Sequence, residues 1–169
     1  MKIALGADHG GYNLKSEISE FLTADGHKIV DFGTHSQEAC DYPQFAYKVA
    51  KSVSEKKADV GILICKSGNG MAIVANKLPG VRAAICFDKN VAELSRQHND
   101  ANVIVLGSEH LLEDPEVIVR AWVGAHFEGG RHKRRVGQIS GFEKKIGLVC
   151  SPPSGRRRTF GPKKNKGKK

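Results

Sequence analysis

The run Val60-Gly61-Ile62-Leu63-Ile64-Cys65 is apolar at every position, without the alternation expected of a strand that has one wet face. Six residues is strand length, far below the roughly 20 needed to span a bilayer. The run therefore reads as a central strand of a parallel sheet covered on both faces. Such a strand demands helices above and below it, and the flanking sequence supplies them. Lys2 to Gly6 reads as a first strand, followed by Leu14, Ile18, Phe21 and Leu22 at helical spacing and by Gly26 as a stop. Lys28 to Phe32 is a second strand. Asp41-Tyr42-Pro43 opens a helix with a capping carboxylate and an early proline, and Phe45, Val49 and Val53 form its apolar face.

Beyond the central strand the same rhythm continues. Met71 to Leu78 reads as a helix ended by Pro79-Gly80, Arg82 to Phe87 as a strand, Val91 to Gln97 as a helix and Asn102 to Leu106 as the fifth strand. Asp114-Pro115 starts a helix carrying Val117, Ile118, Ala121 and Trp122, and Gly129-Gly130 breaks it. The pattern predicts a doubly wound α/β domain over residues 1–148: a parallel five-stranded sheet with helices on both faces. Val136, Ile139, Phe142 and Ile146 recur three or four apart along a last helix, far from the sheet. Its apolar stripe predicts packing on a second copy of the chain.

Charge separates this domain from the end of the chain. The whole carries a net +9, yet eight lysines and arginines lie after Gly147 with no acidic residue among them. Without these eight, 19 basic residues face 18 acidic ones, so the domain is nearly neutral. Residues 149–169 read as a basic, disordered tail. Phe160 is the one aromatic among its basic residues, which favours a solvated extension over a nucleic-acid contact. The four cysteines show no metal-binding spacing, and the start lacks a long apolar signal segment, so free thiols in a soluble, cytoplasmic protein are expected.

In an open parallel sheet, ligands bind beyond the carboxyl ends of the strands. Three segments there are expected to converge: Asp8-His9-Gly10-Gly11, Cys65 to Gly70, and His98-Asn99-Asp100. The first misses the dinucleotide fingerprint, because Asp8 stands where a glycine is needed, and no stretch forms a P-loop or a Gly-x-Ser-x-Gly elbow. Ser67-Gly68-Asn69-Gly70 leads into a helix, so its amides are either an anion cradle or merely a tight turn. Cys65 is either a small core residue or a thiolate base beside those amides. His98 closes a helix, suited to its terminal carbonyls or to acid–base work. Arg131 and Arg135 share a helix face within a run of five basic side chains, as a phosphate clamp or a solvated surface.

Taken together, the motifs Gly6-Ala7-Asp8-His9-Gly10-Gly11, Asp41-Tyr42-Pro43-Gln44-Phe45-Ala46, Cys65 through Lys77, Arg96 through Val103 and Glu128 through Val136 resemble the ribose-5-phosphate isomerase B family. That family includes galactose-6-phosphate and allose-6-phosphate isomerases. The resemblance runs from residue 1 to about 146. It implies a Rossmann-like homodimer or tetramer that interconverts an aldose phosphate and a ketose phosphate without metal or cofactor. It also implies that Cys65 is the base, Ser67 its hydroxyl partner, and the amides of Gly68, Asn69, Gly70 and Met71 a hole for the enediolate. His98 would open the furanose ring, Asp8 and Asn99 would hold sugar hydroxyls, and Tyr42 would belong to the substrate-binding set. His9, Arg131 and Arg135 would bind phosphate, some from the neighbouring subunit.

Two positions depart from the family pattern. Lys66 stands where glycine is usual, and would be strained if the backbone requires positive φ. Glu109 stands where arginine is common, and Lys66 or His110 would then restore the lost positive charge. The readings left beside a pentose-phosphate isomerase are a six-carbon sugar-phosphate isomerase and a non-catalytic sugar-phosphate sensor whose tail binds polyanions.

Overall fold

Val60–Cys65 (β3) lies in the middle of a five-stranded sheet, between Lys2–Ala7 (β1) and Val103–Gly107 (β5). Lys28–Asp31 (β2) and Ala83–Ile85 (β4) form the edges, so the order is β2-β1-β3-β5-β4. The computed structural model describes residues 1–147, and every strand pair in it is parallel. The basic segment 149–169 lies outside the described residues.

The two-residue period of β3 explains both layers. Ile62 and Ile64 join Leu5, Ile18, Leu22, Leu106 and Trp122 in one core, while Leu63 and Cys65 join Phe45, Val49, Met71 and Val105 in another. The first core is covered by Tyr12–Ala24 (α1), Lys89–Asn99 (α4) and Pro115–Gly124 (α5); the second by Tyr42–Ser54 (α2) and Asn69–Ala75 (α3). Trp122 is fully buried, and its indole N–H donates to Ser95 Oγ at 3.1 Å, which satisfies the ring's one polar atom. Removing a core aromatic of this size costs about 3–5 kcal/mol.

The helix starts divide by chemistry. Asp88 and Asp114 cap α4 and α5, accepting from the amides of Val91 and Glu116 at 2.7 Å. Asp41 occupies the corresponding position before α2 but makes no side-chain bond there, so Pro43 in the first turn is what remains of the expected start signal. α3 begins at Asn69, two residues before its expected start, and α5 ends at Gly124, ahead of the glycine pair. Gly130–Lys145 (α6) then packs on α4 and leaves Ile139, Phe142 and Ile146 exposed. Among the described residues no helix is long and apolar enough to cross a membrane.

Candidate active site

The strand order reverses around β1 and β3, so their carboxyl ends open a crevice between the segments that follow them. After β1, buried Asp8 caps a single 3-10 turn, its carboxylate accepting from the Gly10 amide at 2.9 Å. The Cys40 amide donates to His9 Nδ1 at 3.3 Å, which leaves Nε2 as the nitrogen able to donate to a ligand.

β3 ends in Cys65, 6% exposed, with the Gly68 amide donating to its Sγ at 3.2 Å. Such a bond strengthens when the sulfur carries charge. The amide reaches the sulfur because Gly68 turns with φ +79°, a conformation other residues rarely adopt. The opening turn of α3 has no intrahelical acceptors for its amides. Asn69 donates to Ser67 Oγ at 3.4 Å, while the amides of Gly70 and Met71 remain for a ligand. Tyr42 lies so close to this turn that a Cβ at Gly70 would sit 2.6 Å from its ring. Cys65 thus packs with the α2/α3 core, and its sulfur accepts from the first amide of the glycine turn.

Lys66 does not have positive φ; among described non-glycine residues only Lys56 and Asp100 do, so the anticipated strain is absent. Its stem crosses Gly10 and its ammonium pairs with Glu109 at 3.5 Å. Ser108 ties the same three segments together, donating through its amide to Cys65 O at 2.9 Å and through Oγ to Gly10 O at 2.8 Å. It is a site-building residue that sequence patterning gave no reason to select.

The expected convergence fails for the third segment. A helix that crosses between parallel strands carries the chain back to the amino edge, and His98 and Asn99 close such a helix. Arg82, at the foot of β4, donates to Asn99 O at 3.1 Å and Asp100 O at 2.8 Å, fixing them at that edge. A five-residue strand is roughly 17 Å long, so His98 and Cys65 of one chain stand on opposite sides of the sheet. Arg131 and Arg135 belong with His98. The Glu128 amide donates to Gln97 O at 3.0 Å and joins the start of α6 to the end of α4. Arg131 and Arg135 are exposed there, one turn apart.

Beneath them His132 is buried and stacks on His98 with centroids 4.2 Å apart and planes 4° from parallel. Burial, then the neighbouring His98 and Arg131, push His132 below its ordinary value, so this ring is neutral at neutral pH. Glu128 and His132 were no part of the expected site. Their i, i+4 spacing at a helix start was the available signal.

The carboxyl-edge segments can bind an anion and hold a thiolate beside free amides; the amino-edge face can bind a second anion and move a proton. The family model described as Ribose/Galactose Isomerase matches residues 3–139. Ribose-5-phosphate isomerase B of Escherichia coli is 48% identical, the alignment covering 85% of this chain and 97% of that protein. A solved ribose-5-phosphate isomerase B of Clostridium thermocellum is 51% identical, covers 86% of this chain and 99% of its own, and superposes with TM-score 0.83. A structure of the Mycoplasma genitalium enzyme with bound ribulose-5-phosphate is 41% identical, covers 85% and 97% respectively, and gives TM-score 0.82.

Proposed function

The chain belongs to the ribose/galactose isomerase family, and from that premise we infer that it interconverts ribose 5-phosphate and ribulose 5-phosphate. The observation that carries the mechanism is the Cys65 sulfur, 3.2 Å from the Gly68 amide at the base of the glycine turn. As thiolate, Cys65 takes the proton from C2 of the open aldose and returns it to C1. The enediolate oxygen that forms between these steps is met by the amides of Gly70 and Met71, with Ser67 as hydroxyl partner. Donors of this kind are worth roughly 3 to 4 kcal/mol each in the transition state. Asp8 and Tyr42 hold sugar hydroxyls and His9 the phosphate, with Lys66 beside it.

One chain carries half of this machinery. His98 opens the furanose ring, passing a proton to the ring oxygen, and it reaches the Cys65 loop only from a second copy. That copy also brings Asn99 to the sugar and Arg131 and Arg135 to the phosphate. The homodimer is supported by Ile139, Phe142 and Ile146, which border an open cleft of about 460 Å³ reaching Val81 and Ala101. We assign activity to residues 1–148 and treat 149–169 as an extension outside the catalytic unit. The described thiols are all free, which fits a reducing cytoplasm.

The test is turnover of ribose 5-phosphate by wild type, by Cys65→Ala and by a chain ending at Leu148. Loss of a positioned base lowers kcat by about 10²–10⁴-fold, with circular dichroism unchanged, while the shortened chain keeps wild-type turnover. Retained activity in Cys65→Ala would refute the mechanism. Turnover confined to six-carbon sugar phosphates would refute the substrate.

A further inference from the structure

The neighbourhood of His98 offers more than a proton. His98 Nε2 and His132 Nε2 lie 3.7 and 3.8 Å from the same Glu128 oxygen. The three donor atoms fall within 4.8 Å of one another. Two imidazoles and a carboxylate, with a fourth position open to water, match the donor set of zinc sites that keep a free coordination position. We propose that His98, Glu128 and His132 form a binding site for a divalent transition-metal ion of the zinc class, and that loading it withdraws His98 from turnover. The second half rests on the ring-opening role inferred for His98; the first does not.

The backbone holds the three donors together before any ion arrives. The Glu128 amide is bonded to Gln97 O, adjacent to His98, at 3.0 Å. Glu128 and His132 are spaced i, i+4, which places their side chains on one face. His132 is buried and fixed, whereas the side chains of His98 and Glu128 are 35% and 53% exposed and free to adjust.

The available lone pair on His132 is on the right atom. Arg131 Nε donates to His132 Nε2 at 3.3 Å. A guanidinium only donates, so Nε2 is the acceptor and the ring proton sits on Nδ1. The nitrogen facing Glu128 is the one able to bind metal. An incoming ion replaces the Arg131 N–H at that position, and the Glu128 carboxylate offsets the guanidinium charge left nearby.

Distances and ring orientation say what must move. Bonds of about 2.0–2.1 Å in a tetrahedron separate ligand atoms by about 3.3–3.4 Å, a few tenths of an ångström less than the two histidine–Glu128 distances. The parallel stack, at 4.2 Å and 4°, sends the two imidazole lone pairs side by side rather than toward one point. One ring must therefore turn, and His98 has the room. Capture of the ion unstacks His98 and commits its Nε2 to the metal, so that nitrogen can no longer carry the proton that the ring oxygen receives. With Arg131 and Arg135 close by, only ions with high affinity for imidazole overcome the local positive charge; magnesium and calcium, which prefer oxygen donors, do not.

The experiment uses untagged full-length protein freed of metal, titrated with Co²⁺ and then with Zn²⁺. One Co²⁺ per chain is expected, with the intense visible absorption of a four-coordinate ion, displaced by Zn²⁺. Glu128→Gln and His132→Gln should each weaken binding at least about tenfold, while Cys65→Ser leaves it unchanged. Zn²⁺, but not Mg²⁺, should inhibit ribose 5-phosphate turnover in proportion to occupancy. Glu128→Gln should require at least about tenfold more zinc for equal inhibition. Absence of Co²⁺ binding, binding that survives both substitutions, or binding lost in Cys65→Ser overturns the site. Zinc bound at the site without inhibition overturns the withdrawal of His98. A metal-free wild type that does not turn over ribose 5-phosphate counts against the isomerase reading instead, and the cobalt titration still decides the site.

Discussion

The two edges of the sheet carry chemistry built in different ways. At the carboxyl edge, backbone does most of the work: the Gly68 amide on Cys65 Sγ, the turn of α3, and Ser108 bonded to both Cys65 O and Gly10 O. At the amino edge, side chains on two helices do it: His98 on His132, with Arg131 and Arg135 exposed above. The first arrangement suits a fixed charge developing on one oxygen, since backbone donors there cost no reorganisation. The second suits a mobile, highly charged phosphate and a proton in transit. The thiol and its amides belong to one edge and the ring-opening histidine to the other, and the sheet between them keeps them apart within one chain.

Mixing inactive chains tests that separation most directly. Cys65→Ala and His98→Ala each abolish a different half, so a dimer containing one of each holds one intact site and one doubly damaged one. Subunit exchange at equal amounts makes half the dimers mixed, so about a quarter of wild-type activity should return from two inactive preparations. No recovery after verified exchange would mean that both halves serve the same site within one chain, and the comparison would collapse.

The interface that brings the edges together gives the next effect. Burial of a phenylalanine is worth about 1.5–3 kcal/mol, and a two-fold interface counts it twice. Phe142→Asp should therefore raise the dimer dissociation constant by about 10²–10⁴-fold, read by sedimentation, with turnover tracking the dimer fraction. A monomeric variant with full activity would break the link between assembly and site completion.

Much of this was legible in the sequence, and the errors are instructive. The apolar run at β3 required a sheet covered on both faces, and the two cores result from it. Cys65 was ambiguous because residue type alone cannot reveal an amide 3.2 Å from its sulfur. Grouping His98 with Cys65 overlooked a rule within reach: a crossover helix ends at the edge opposite the one where it began. A family glycine at position 66 left open whether the backbone there requires positive φ; that conformation belongs to Gly68 instead. Asp41 had the right type and position for a cap, yet capping also needs a side-chain direction that spacing does not specify.

A second thiol sharpens what is special about Cys65. Cys86 lies just past β4 and is fully buried; burial pushes its thiol from 9.0 up to about 11, only partly offset by Ser95. Below pH 9.0 the thiol is neutral in both folded and unfolded chains and contributes no slope. Between 9.0 and about 11 the unfolded chain ionises first, so stability is lost as pH rises through that window. At about 1.36 kcal/mol per unit the loss reaches about 2–3 kcal/mol. Urea unfolding of wild type and Cys86→Ala across this range should show the extra decline only in wild type. Equal slopes would mean that burial does not distinguish this thiol.

The smallest expected effect concerns Lys66 and Glu109 at the mouth of the carboxyl edge. The pair is separated by 3.5 Å, and both side chains are more than half exposed, at 59% and 57%. Pairs of this kind are worth at most about 1 kcal/mol and are screened by salt. If the carboxylate mainly holds the Lys66 ammonium away from an incoming phosphate, Glu109→Gln frees that charge. KM for ribose 5-phosphate should then fall by up to about fivefold at low salt, with kcat unchanged, and the gain should vanish at high salt. A rise in KM would show instead that Glu109 presents Lys66 to the substrate. The carboxyl edge would then rely on a side-chain pair, as the amino edge does, and the contrast between them would be one of degree.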